Sequence, residues 1–176
     1  MLISAKQFDD AAELLREASG WLKEANSDLS LMYWEFGWLA LHDGRIERAV
    51  QRLAYYVSKR AAIEPVVAMF CLAAYMMPDK KDHFRKFFDL VSAAGCGDVL
   101  SAQYYCIVAS YLDPERLHQF GKQILTPKLA AELEKLSAAL CGTRDSFKAP
   151  LTDQMIRLLL QSVDDKYCGG KYRGIL

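Results

Sequence analysis

Residues 33–50 read Tyr33-Trp-Glu-Phe-Gly-Trp-Leu-Ala-Leu-His-Asp-Gly-Arg-Ile-Glu-Arg-Ala-Val50: an apolar run, a turn at His42-Asp43-Gly44, then a second segment with apolar residues at helical spacing. The turn recurs as Met77-Pro78-Asp79 and as Leu112-Asp113-Pro114. Aligned on Gly44, Pro78 and Pro114, the copies stand 34 and 36 residues apart. A small side chain precedes each by four positions (Ala40, Ala74, Ser110), and an apolar one follows each by six (Val50, Phe84, Phe120). A period of this length marks stacked helical hairpins, because one hairpin cannot bury its apolar face without a neighbour. Such stacks offer binding surfaces more often than they offer chemistry.

Helical spacing runs through the rest of the chain, and apolar alternation at two is nearly absent. Ser4-Ala-Lys-Gln7 has the form of a capping box, opening a helix over 4–24 with Phe8, Ala11, Ala12, Leu15, Ala18 and Leu22 on one side. Asn26-Ser27-Asp28 and Gly95-Cys96-Gly97-Asp98 read as breaks with caps. Pro65, Pro114 and Pro127 stand at helix starts, where the missing N–H costs nothing. The loop lengths then pair 28–42 with 45–60, 65–77 with 80–93, and 98–112 with 114–125 as antiparallel hairpins. A fourth pair, 127–141 with 151–164, has a longer loop over Thr143–Pro150 and no matching turn, so it reads as a cap. The helix at 4–24 would cover the other end. Residues 1–165 read as a single all-helical domain, and the glycines of 166–176 predict a flexible tail.

Length and composition fit that reading. A chain of 176 residues buries roughly 70% of its unfolded surface as one domain. Its 22 basic and 22 acidic residues are spread evenly, which argues against a nucleic-acid binder and favours association with a partner or with itself. No stretch approaches the roughly 18 apolar residues that span a bilayer. The longest candidate, Pro65 to Pro78, carries no charge but is too short. The first ten residues lack the basic start and apolar core of a signal peptide. Five scattered cysteines, three of them in apolar helical runs, predict reduced core thiols in a cytoplasmic protein.

The hairpin at 30–63 resembles a tetratricopeptide repeat. Tyr33 or Trp34, Gly37, Gly44 and Ala49 occupy the places where that family carries a bulky residue, a small one, the turn glycine and an alanine. The second and third units depart from the pattern, with proline at the turn and His83 and Gln119 opposite Ala49. The resemblance covers about residues 28–125 and implies an all-α solenoid of antiparallel hairpins with capping helices at both ends. Gly44-Arg-Ile-Glu-Arg-Ala49 is further similar to the compact chaperones of bacterial type III secretion, which hold secreted subunits in a concave groove. That resemblance implies a cytoplasmic chaperone or adaptor, with a partner segment as its ligand.

The first helix of each hairpin would line the groove, which makes Tyr33, Phe36, Met69, Tyr75, Tyr104, Tyr105 and Tyr111 the candidate partner-binding residues. Aromatic stripes at helical spacing are usually buried, and Tyr33, Tyr104 and Tyr105 are the best placed for an open groove. Lys80, Lys81, Arg85 and Lys86 form the densest basic patch. Lys81 and Arg85 share a helix face, while Asp82 and Asp89 break up the field, as on a solvated surface. No cysteine or histidine spacing matches a metal site, no glycine loop cradles phosphate, and no cofactor is implied. Catalysis has no positive signal. Two alternatives stand beside the binding module. One is a scaffold subunit or homodimer using Trp21, Trp34 or Trp38; the other is an enzyme or small-ligand sensor with a pocket between helices.

Overall fold

Ten consecutive residues, Val66 to Tyr75, are buried, and the helix that carries them is the axis of the molecule. A helix apolar on every side has no face to give to water, so its neighbours must surround it. In the computed structural model, which describes residues 5–24, 32–60, 63–93, 101–118, 126–141 and 151–176, five other helices do so. The elements are α1 (Ala5–Glu24), α2 (Tyr33–His42), α3 (Ile46–Lys59), α4 (Glu64–Tyr75), α5 (Lys80–Ala93), α6 (Ala102–Ala109), α7 (114–118), α8 (Pro127–Cys141) and α9 (Asp153–Cys168). The described residues contain these nine helices and no strand. The chain is all-α, as the sequence predicts. The expected breaks at 26–28 and 95–98, the cap at Ser4, Phe120 with the rest of its helix to 125, and the linker at 143–150 lie outside the described residues.

The three recurring turns each join two helices. At the first, Gly44 takes φ +74°, a conformation that costs L side chains energy. This lets the Gly44 N–H reach Leu41 O at 2.9 Å and the Arg45 N–H reach Ala40 O at 2.7 Å. The other two turns use no glycine. Met77 N–H bonds Ala74 O at 3.1 Å, and Leu112 N–H bonds Ala109 O at 3.2 Å. At the third turn the Asp113 side chain accepts from the Arg116 N–H at 3.0 Å and starts α7.

α2 and α3 are antiparallel and close. Tyr33 meets Tyr55 with ring centroids 4.4 Å apart, Arg52 donates to Phe36 O at 3.0 Å, and a Cβ on Gly37 would lie 2.6 Å from Leu53 Cδ2. α3 supplies the buried stripe Ala49, Val50, Leu53 and Val57. α5 supplies Phe84, Phe87, Phe88 and Val91, with Phe87 stacked on Phe70 of α4 at 3.9 Å. α1 packs on α2 through Phe8 and Ala12, and α8 packs on α6.

The C-terminal part departs from the expectation in two ways. α8 and α9 separate: α8 goes to α6, whereas α9 crosses back to α4 and α2, so 127–141 and 151–164 do not share a hairpin as a cap. The end of the chain is also not a loose tail. α9 starts at the Thr152 N-cap and continues five residues past Val163, to a left-handed Gly169 at φ +65°. Residues 169–175 turn back, and Tyr172 and Leu176 are buried in the core. The glycines fold the segment down because they allow positive φ at Gly169 and Gly170.

Candidate functional site

The face expected to bind a partner segment is formed by α2, α4 and α6, and α9 lies on it. Two polar contacts fix its direction. At one end, the Tyr75 hydroxyl donates to Asp153 at 2.8 Å. At the other, the Tyr167 hydroxyl donates to Glu64 at 2.7 Å, and Lys166 joins the same carboxylate at 3.4 Å. The first residue of α9 therefore meets the last of α4, and the end of α9 meets the start of α4. The two helices run antiparallel over the whole length of α4. Beyond this, the Trp38 indole N–H donates to Tyr167 O at 2.7 Å, Tyr172 hydroxyl donates to Leu41 O, and Leu151 N–H donates to Ser110 Oγ at 2.9 Å.

The apolar part of this seat is large. Ile156, Leu160, Val163, Tyr172 and Leu176 are all buried. Three of them, Ile156, Leu160 and Val163, at about 1.5–3 kcal/mol each, give about 5–9 kcal/mol as an upper estimate. A micromolar ligand supplies about 8 kcal/mol in total. A partner peptide would spend its whole affinity displacing α9, so the α4 and α2 part of this face is closed.

The candidate residues fall into three groups. Tyr75 and Tyr104 lie beneath α9; Tyr104 donates to Glu64 at 3.1 Å, on the carboxylate that also holds Tyr167. Burial pushes both phenols up, and the neighbouring carboxylates Asp153 and Glu64 push the same way. Met69 is fully buried, Tyr111 stacks on Phe84 at 4.5 Å, and Tyr105 is half-buried against the core. Tyr33 and Phe36 border an opening. The basic patch divides too. Lys80 reaches Asp153 at 3.7 Å and lies over the Tyr75 ring at 4.3 Å, and Arg85 lies 3.7 Å from Asp82 and 4.0 Å from Asp113. Lys81 and Lys86 are exposed.

The opening at Tyr33 and Phe36 is a cavity of about 390 Å³ between α1, α2 and α3. Tyr33, Phe36 and Leu39 give it an apolar base. Arg16 and Lys23 from α1, Arg45 at the N-cap of α3, and Arg48 and Arg52 from α3 surround it. Asp43 bonds both Arg16 and Arg45. Burial raises the Asp43 carboxyl, but the two guanidinium hydrogen bonds outweigh it and hold the group below its usual range. Arg52 lies over the Phe36 ring at 5.5 Å, and its pKa is lowered by burial and by the nearby charges of Arg45 and Arg48. Sequence reasoning passed over this cluster. Arg48 and Arg52, at i and i+4, share one side of α3, and Arg45 is its N-cap residue, which was a readable signal. The share of α1 was not, since Arg16 comes 29 residues before Arg45.

The described residues include no group of three or more His, Cys, Asp or Glu that could hold a metal ion. Cys71, Cys106 and Cys168 are free and buried. Burial pushes the Cys106 and Cys168 thiols up to about 12 and Cys71 higher still, so all three stay protonated at neutral pH and are poor nucleophiles. Among the described residues, no helix is long and apolar enough to cross a membrane. No family model, no curated protein and no solved structure matches the chain.

Proposed function

We propose that this chain is a protein-interaction module: a short tetratricopeptide-like stack of the hairpins α2–α3, α4–α5 and α6–α7, working as a cytoplasmic chaperone or adaptor that binds a partner segment without catalysis. The α4 and α2 part of its inner face is taken by its own α9, so the partner is held at the α1–α2–α3 cavity. The observation that carries this reading is that Tyr33 and Phe36, of all the candidate groove aromatics, border the open cavity. The free thiols Cys71, Cys106 and Cys168 suit a reducing compartment. The likeness of Gly44–Ala49 to type III secretion chaperones makes a secreted subunit the expected client.

The test is affinity capture from the native host, with the eluate resolved by size exclusion and light scattering. A stoichiometric protein bound by the natural chain and lost from Tyr33→Ala supports the reading. A homo-oligomer with no second protein sinks it and favours a self-assembling subunit. A specific observation supports that second reading. Leu14 and Trp21, each 67% exposed and seven residues apart on α1, present one apolar face to solvent.

A further inference from the structure

We propose that the α1–α2–α3 cavity recognises an acidic, extended segment of the partner protein, with carboxylates along its cations and an apolar side chain on the base of Tyr33, Phe36 and Leu39. This rests on the protein-binding reading above and names the chemistry of its ligand.

Charge is the first support. Five cations line the cavity, and among the described residues the carboxylate bonded to them is Asp43, which pairs with Arg16 and Arg45. No carboxylate among the described residues forms an ion pair with Lys23, Arg48 or Arg52. Arg52 is half-buried, where like charges repel through a poorly screening medium. A cluster of this kind is relieved by an anion from outside. The chain as a whole has no net charge, so the excess at this cavity is local.

Arrangement is the second. Arg45, the N-cap residue of α3, is followed by Arg48 and Arg52 within that helix. Arg16 and Lys23 are seven residues apart on α1, about 10 Å at 1.5 Å per residue. Three residues of extended chain cover about the same distance. Charges distributed over such a length suit carboxylates in series better than one phosphate, which needs donors converging on a point. Arginine, the dominant cation here, pairs with carboxylates through two parallel N–H donors. An extended nucleic acid needs a longer basic track than one cavity provides.

The apolar base is the third. Phe36 and Leu39 are buried while still lining the cavity, and Tyr33 is half-buried beside them. A purely ionic site would be weak and salt-screened. An apolar side chain seated here adds affinity that salt does not remove.

The probe is a fluorescein-labelled hexapeptide of four glutamates around a central leucine and phenylalanine, followed by anisotropy on the full chain. Its control carries lysines in place of the glutamates. The acidic peptide is expected to bind and the lysine peptide not to bind. Arg48→Glu and Lys23→Glu, both at exposed positions and checked for unchanged melting, are each expected to weaken binding about tenfold or more. Adding salt from about 50 to about 300 mM should weaken binding without abolishing it. Equal affinity of both variants and the natural chain overturns the proposal, and so does failure of the acidic peptide to bind. ATP or inorganic phosphate binding more tightly than the peptide overturns it in favour of a phosphate ligand.

The two levels separate cleanly. A host partner captured equally by the natural chain and by Arg48→Glu leaves the interaction module standing and removes the acidic ligand. Peptide binding without any host partner does the reverse.

Discussion

Leu160→Ala tests whether α9 is part of the core or a removable strap. Leu160 is fully buried in the face that α9 turns toward α4 and α2. The substitution removes three carbons, worth about 2.4 kcal/mol at 0.8 kcal/mol per buried methylene if the surroundings close completely. If they do not close, the residual cavity adds to this, and buried leucine truncations reach about 5 kcal/mol. In a chain of this size each kcal/mol moves the melting temperature by about 2–4 °C, so a fall of about 5–20 °C is expected. The control is Leu158→Ala on the same helix: Leu158 is 55% exposed, and its loss should stay within about 0.5 kcal/mol. Far-UV circular dichroism should follow the melts, with limited proteolysis monitored by mass spectrometry. A core helix gives one cooperative transition that shifts as a whole. If Leu160→Ala melts like the natural chain, or loses only the C-terminal segment in an early separate step, α9 is a detachable strap. The inner face would then be open to partners, and the placement of the binding site at α1–α2–α3 would fail.

Three further outcomes are expected. Gly37→Ala pushes a methyl to 2.6 Å from Leu53 and should destabilise by about 1–2 kcal/mol in urea titrations, overpacking outweighing alanine's better helix propensity; a stabilised variant refutes the close α2–α3 contact. Glu64→Ala strips the buried Tyr104 hydroxyl of its acceptor and should cost about 1–3 kcal/mol, with Tyr104→Phe in the same background recovering part of it; no recovery means the hydrogen bond is not the cause. Asp164 is buried, and desolvation raises its pKa above 3.8, although the Tyr172 N–H bonded to it at 2.8 Å opposes the rise. The native state therefore holds this proton more tightly than the unfolded chain. Its contribution is complete below about 3.8 and is lost as pH rises through the raised native value. Asp164→Asn should remove that slope, so the difference in melting temperature between variant and natural chain should drift in the variant's favour from pH 4 to 7. A constant difference contradicts the sign.

The helices and their turns were legible in the residues because their causes are local. Asp43-Gly44 turns the chain through the freedom of one glycine, Thr126 with Pro127 starts the helix that follows, and the uncharged run after Pro65 becomes the central helix. The three-four spacing on α3 and α5 determined which side of each helix is buried. Gly37 was also readable as a place of close approach, since no other residue there leaves room for Leu53.

The two ends of the chain were decided by tertiary structure. The glycines of the last segment carry the same local signal whether that segment waves in solvent or folds down. What seats it is contact with residues about 80 to 130 positions away: Tyr75 with Asp153, Glu64 with Tyr167, Leu41 with Tyr172. Periodicity cannot report such pairings, because it describes one helix at a time. It gave Tyr75 and Tyr104 a face but could not say that α9 would occupy it. In the same way the arginines of α3 were visible on one side of a helix, yet only the packing of α1 and α2 around them makes a cavity with an apolar base. The sequence alone determined the helices and their buried stripes; the packing between distant helices decided which surface stays open.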